Sequence, residues 1–138
     1  MAALSITVAN VKKLAGSSTT SGIAGETITR GQAVYLSSTG KLLKADATYE
    51  YSANAVGIAL DDAGDNQPLV YQTSGPMNIG ATTVKAELYV LDDAAGGIIA
   101  FSDASAPSTP DYKTILGIAE DVNGTFHVHI DFCDVAMT

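Results

Sequence analysis

Between Thr125 and Phe132 every second residue is apolar: Phe126, Val128, Ile130 and Phe132 alternate with Thr125, His127, His129 and Asp131. A period of two sends successive side chains to opposite faces, so this segment specifies a β-strand with one face in a core and one face wet. Burying four side chains of that size contributes on the order of 6–12 kcal/mol before entropy is subtracted. One strand cannot realise that gain alone. It needs neighbours that present a matching face. Asn123-Gly124, just before it, predicts a two-residue hairpin, since both residues tolerate positive φ.

The neighbours are legible upstream. Val34-Tyr35-Leu36, the polar loop Ser37-Ser38-Thr39-Gly40 and Leu42-Leu43 read as a second hairpin. In Ala55 to Leu60, Val56, Ile58 and Leu60 are expected on one face, with Ala55, Gly57 and Ala59 on a nearly bare face that admits another backbone. Asp61 to Asn66 reads as a turn, and Pro68 opens a further strand at Leu69-Val70-Tyr71. Helical signal is thin. The best stretch, Ala81 to Leu91, carries Thr82-Thr83-Val84, whose β-branching disfavours helix, and it also fits a strand at Leu88 to Leu91.

These blocks recur in order. Ala33-Val34-Tyr35-Leu36 resembles Glu87-Leu88-Tyr89-Val90, and Val56-Gly57-Ile58-Ala59 resembles Leu116-Gly117-Ile118-Ala119. A strand follows each pair, at Leu69-Val70-Tyr71 and Phe126-His127-Val128. The expectation is an all-β body over 26–138, a small antiparallel β-barrel or sandwich made of two related β units. Residues 1–25 differ. Leu4, Ile6 and Val8 alternate with small polar residues, and Gly16 to Gly22 is a glycine-serine-threonine run. That segment is expected to be an extended, flexible N-terminal arm.

Composition narrows the function classes. Fifteen acids against seven bases give a net charge of -8, which opposes binding along a run of phosphates, so no nucleic-acid partner is expected. No apolar run reaches the length that spans a bilayer, and no membrane partner is expected. Lys12 and Lys13 follow the apolar start rather than precede it, the wrong order for a signal peptide. The single cysteine, Cys133, excludes an internal disulfide framework.

Candidate chemistry is sparse. His127, His129 and Asp131 share one strand face, a weak metal-ligand candidate with no third histidine to extend it. The turn at Asp61, Asp62 and Asp65 lacks the ligand spacing of a calcium loop, and Asp92-Asp93 reads as another acidic turn. Cys133 has neighbouring histidines but no identifiable third partner. The six tyrosines, at positions 35, 49, 51, 71, 89 and 112, are core or interface residues by type. The expectation is therefore a chain that is not an enzyme and uses no cofactor. The alternative is a small β-barrel ligand- or metal-binding module using the His127/His129 face.

Gly31-Gln32-Ala33-Val34-Tyr35-Leu36, Gly40-Lys41, Lys44-Ala45, Ala55 to Leu60 and the second block at Leu116-Gly117-Ile118-Ala119 resemble the small capsid cement (decoration) proteins of tailed phages. The resemblance covers about residues 25–132. It implies a β-rich protein made in the host cytoplasm that sits on the outer surface of the virion capsid. It implies a homo-oligomer, usually a trimer, that bridges subunits of the major capsid protein and stabilises the shell. Some members of that family carry a recombinase label, but no Gly-Lys-Ser/Thr of a phosphate-binding loop occurs here. Under this reading the apolar residues of the arm, Leu4, Ile6, Val8 and Val11, are the expected capsid or protomer contacts.

Overall fold

The computed structural model describes residues 4–92, 94–102 and 112–136, with the backbone path alone for 132–136. Ten strands and two short helical turns follow one another. A 3-10 turn spans Val8–Asn10, β1 Lys12–Lys13, β2 Ser18–Ile23, β3 Ala33–Leu36, β4 Leu42–Lys44, α1 Glu50–Ala53 and β5 Ala55–Ala59. Then come β6 Pro68–Asn78, β7 Leu88–Leu91, β8 Ile98–Ala100, β9 Tyr112–Ala119 and β10 Thr125–Ala136. They form one curled antiparallel sheet, a half-barrel, in the order β4-β3-β5-β6-β10-β9-β7-β8, with β1 and β2 also on β6.

That order reads the same from both ends, and the hydrogen bonds show why. β3 pairs with β4 and β5 as β7 pairs with β8 and β9. Gly31 N–H donates to Ala59 O at 2.8 Å, and Ala86 N–H to Ala119 O at 2.9 Å. Ala45 N–H donates to Ala33 O and Phe101 N–H to Leu88 O, each at 2.9 Å. Ile58 faces Gln72 as Ile118 faces His127. The chain is thus two copies of one β unit. In the β3/β7 block, Val34 and not Tyr35 is the counterpart of Tyr89, one residue from the match that sequence likeness suggests, because both pair with the conjugate glycines Gly57 and Gly117.

Those two glycines explain the bare strand face. A Cβ at Gly57 would lie 2.4 Å from Gln72 O, and one at Gly117 would lie 2.1 Å from His127 O. No side chain fits between a strand and a neighbour that close. The long strand β6 serves both units. Its Pro68-side half pairs with β5 and its Asn78-side half pairs with β10. Between them, at Thr73, the register against β2 slips, and Gly75 follows with φ +91°. Such a bulge reverses which face a strand's side chains take. Buried Gln72 braces it, donating from Nε2 to Gly75 O at 2.8 Å and Pro76 O at 3.0 Å.

The bulge decides where each unit's apolar residues go. The main core joins Ala33, Ala45, Ala55 and Ile58 of the first unit to Tyr89, Leu91, Leu116, Ala119, Phe126 and Val128 of the second. A second core, of Ala24, Ile28, Val34, Leu42, Ala59, Ala63, Leu69 and Tyr71, covers the other face of the first unit. Phe126 meets Tyr89 edge-on at 5.8 Å, a geometry that ring quadrupoles favour.

Several expectations need correction. Residues 4–25 do not stand apart as an arm. Leu4 N–H donates to Ile98 O and Thr7 N–H to Gly80 O, both at 2.7 Å, and β1 and β2 run along β6. Leu4 to Val8 is not a strand; residues 8–10 turn as a 3-10 helix. Val56 does not share the face of Ile58. A bulge between the β3 partners Val34 and Tyr35 turns Val56 to the second core while Ile58 and Leu60 take the first. The Asn123-Gly124 turn is longer than two residues: Glu120 N–H closes on Thr125 O at 2.8 Å, and the Asp121 carboxylate accepts from Asn123 N–H at 2.8 Å. The stretch 81–91, by contrast, agrees with its strand reading: it holds β7 at Leu88–Leu91 and no helix.

Candidate functional site

The first unit has both sheet faces covered, whereas the second has one face open. Leu88, Ile118, His127 and Pro76 lie in one cross-strand row over β7, β9, β10 and β6. Side chains directly opposite on antiparallel strands share a face. Phe101 joins the row, since its N–H donates to Leu88 O. Leu88 is 38% exposed, Ile118 39% and Phe101 44%, whereas their counterparts Ala33, Ile58 and Ala45 are each 0% exposed. Scattered exposed apolar residues are ordinary, but three adjoining ones at positions whose twins are core mark a surface built for contact.

The rim of this face carries both signs. The ammonium of Lys113 stands 4.5 Å from the centre of the Phe101 ring. His127 Nδ1 is 3.8 Å from the Glu120 carboxylate, with both side chains nearly half exposed. The Glu87 carboxylate accepts from Ser102 N–H at 3.0 Å and from the Ser102 hydroxyl.

A second exposed apolar surface lies on the first unit. Tyr49 and Tyr51, 56% and 64% exposed, stack with ring centres 5.4 Å apart and planes 3° from parallel. Tyr51 leans on Tyr35 at 6.1 Å. Tyr51, Tyr35, Leu36 and Leu43 line a shallow groove that also borders the turn 37–41. Burial pushes the Tyr35 hydroxyl pKa above its usual value, helped by the nearby charges of Tyr51, Asp46 and Glu26. Ser52 fixes α1 beneath the stack, accepting from Tyr49 N–H at 3.3 Å and bonding to the Asp46 carboxylate at 3.0 Å.

The chemistry expected from sequence is not brought together. His127, His129 and Asp131 occupy β10, His127 partly buried and the other two exposed. Among the described residues no group of three or more His, Cys, Asp or Glu side chains is placed to hold a metal ion. The Cys133 side chain and Asp93 lie outside the described residues. Of the acidic turn, Asp62 serves as a strut: its carboxylate accepts from Arg30 N–H at 3.0 Å and pairs with the guanidinium at 3.3 Å. The backbone hydrogen bond from Arg30, then its side chain, holds the Asp62 carboxyl below the ordinary carboxylate range. Asp121 is likewise lowered, first by the Asn123 N–H and then by Thr125.

The arm residues named as contacts are spoken for within the chain. Val11 is 4% exposed in the main core, and Leu4 and Ile6 pack on that core. Ile6 and Val11 methyls press on Gly31 and Gly80, within 3.0–3.4 Å of where a Cβ would stand. Val8 is half-buried beside Leu4 and Ile6. Neither Arg30–Asp62 nor the Tyr49/Tyr51 stack stood out in sequence. A cation one residue before the Gly31-Gln32 block was the available hint for the first, and the Tyr-Glu-Tyr spacing for the second.

No helix among the described residues is long and apolar enough to cross a membrane. No known protein-family profile matches the chain. Over 67 residues the chain is 39% identical to Protein RecA of Mycobacterium sp. (strain KMS) and of Rhodococcus jostii (strain RHA1). Over 67 residues it is 37% identical to Protein RecA of Corynebacterium glutamicum (strain R). That stretch is 49% of this chain but only 18–19% of those proteins, so the chain spans less than a fifth of the curated relatives it matches.

Proposed function

We propose that this chain is a head decoration protein of a tailed phage, a non-enzymatic cement that binds the outer surface of the capsid and bridges major capsid protein subunits. One observation carries the reading: the well-packed body turns apolar side chains outward, at Leu88, Phe101 and Ile118 and again at Leu36, Tyr49 and Tyr51. A protein whose exterior is its working part needs such surfaces. The sequence resemblance over residues 25–132 supplies the kind of partner. The net charge of -8 keeps a body with exposed apolar patches soluble until it docks.

In this reading the chain acts as a homo-oligomer, a trimer by the resemblance, made in the host cytoplasm and used on the virion exterior. Several weak contacts made at once give a clamp by avidity. The contacts move from Val11, which is buried, and from Leu4, Ile6 and Val8, which pack against the body partly buried, to the two exposed surfaces.

The test is cosedimentation of the purified chain with expanded heads assembled from the major capsid protein of the same phage. Saturable binding and a higher disruption temperature of the loaded heads are expected. Heads that sediment without the protein at every concentration would remove the proposal.

A further inference from the structure

Inside the chain, one unit already docks a turn on the other. The β7–β8 turn of the second unit seats at the end of the first unit's β3–β4 ladder: Gly96 O accepts from Ala33 N–H at 3.2 Å, and Gly96 N–H donates to Ala45 O. Gly96 also sits against the Gln32 side chain, 3.0 Å from its Cβ at the point where a methyl would stand. This contact joins the two units beside Ala33 and Ala45, both completely buried.

Both halves of that contact have a twin, and among the described residues the two twins do not meet each other within the chain. The strand registers make Leu88 the counterpart of Ala33 and place Phe101 where Ala45 stands. This receiving face is the open one, with Ile118 beside it. The counterpart of the inserting turn is the β3–β4 turn. It closes through Ser37 N–H to Lys41 O at 2.8 Å, as Asp92 N–H closes on Gly97 O at 3.0 Å. Gly40 holds the place of Gly96, two residues before the next strand, and nothing lies within 4 Å of where its Cβ would be. Ser38, Thr39 and Gly40 are exposed.

The geometry points to a second copy of this chain as the occupant: the β3–β4 turn of one protomer seats on the Leu88/Phe101/Ile118 face of the next. Continuity with the internal contact is the first argument. Residue size is the second. The first unit has alanines where the β7–β8 turn lies close, and the second has Leu88 and Phe101 at those sites, a larger apolar area that solvent exposure alone would not favour. Charge is the third. The turn carries Lys41, and the rim of the face carries two acids, Glu87 and Glu120, against the single lysine Lys113. The contact joins two different surfaces, so it is heterologous. It builds a closed ring or an open chain, whereas a face meeting itself builds only a dimer.

This deepens the assembly side of the proposed function and is tested without heads, so a failure of capsid binding and a failure of self-association are read separately. Three proteins are compared by sedimentation velocity up to ~0.1 mM. They are the native chain, Ile118→Lys, and the double variant Ser38→Glu/Thr39→Glu, whose added acids face Glu87 and Glu120. All changes are at exposed positions, and a thermal melt confirms that each variant folds. The native chain is expected to associate, and each variant to do so at least about tenfold more weakly. An equimolar mixture of the two variants is expected to form a dimer, because the intact turn of one meets the intact face of the other. A native chain that stays monomeric, a folded variant that associates like the native chain, or a mixture that stays monomeric would each overturn the inference. If Ile118→Lys fails to fold, Phe101→Ser takes its place with the same expected outcomes.

Discussion

The two β units share one hydrogen-bond ladder and differ in what covers them. The first lies between two cores, one on each face. The second gives one face to the main core and leaves Leu88, Phe101 and Ile118 in solvent. The backbone plan is therefore not what separates a structural face from a working one. The bulge at Thr73 turns the second unit over relative to the first, and the segment 24–28, bridged to Ala63 at Ile28, covers only the first. A duplicated fold of this kind buries one copy of a surface and exposes the other.

The sharpest contrast is between the two aromatic faces of the second unit. Phe126→Ala is expected to cost about 3–5 kcal/mol, since the ring is fully buried and the hole cannot refill. Phe101→Ala is expected to fall within about 0.5 kcal/mol of the native chain in dilute solution. Urea midpoints of the two variants measure this. Equal losses would mean that the second unit has no open face.

Next come the twin glycines. Gly57→Ala and Gly117→Ala each drive a methyl into a backbone carbonyl, and each is expected to destabilise by about 3 kcal/mol. The comparison sharpens if the two losses agree and breaks if one variant is tolerated. The Gly31/Ala86 pair goes the opposite way. Both residues have positive φ, +91° and +67°, yet only one is glycine. Ala86→Gly is expected to raise the melting free energy by about 0.5 kcal/mol, the left-handed penalty relieved less the entropy that glycine adds. Gly31→Ala, pressed by Ile6 and Val11, is expected to destabilise.

Much of this plan was legible. Strict alternation marked β10, and the recurrence of Gly-Ile-Ala marked the two units, because a glycine forced by a neighbouring carbonyl must recur wherever the contact recurs. Three things were not legible. Residues 4–25 look like a tether because serine, threonine and glycine carry little burial signal, yet here backbone pairing along β6 holds them. The bulges at Thr73 and between Val34 and Tyr35 reverse side-chain direction, and a period-two reading carries the wrong face past them. Exposure of Leu88, Phe101 and Ile118 depends on what lies over the sheet, which no local pattern records.

The smallest expected effect is electrostatic. Arg30 lowers the Asp62 carboxyl below its ordinary value near 3.9. The pair therefore stabilises the fold above about pH 4, and that contribution fades as pH falls through the folded value. Both side chains are well exposed, so Asp62→Asn is expected to cost only ~0.2–1 kcal/mol at neutral pH and almost nothing at pH 2. Melts of the two proteins across that range measure it. A gap that widens on acidification would reverse the assignment.

The claim that the outward face of the second unit is the working surface is tested most directly by hydrogen exchange on the chain, dilute and free against bound to expanded heads. The account predicts slowed exchange at the amides around Leu88, Phe101 and Ile118 and in the turn 37–41, with β5 and the Pro68-side half of β6 unchanged. Protection that skips both of those places and falls elsewhere on the bound protein would contradict it.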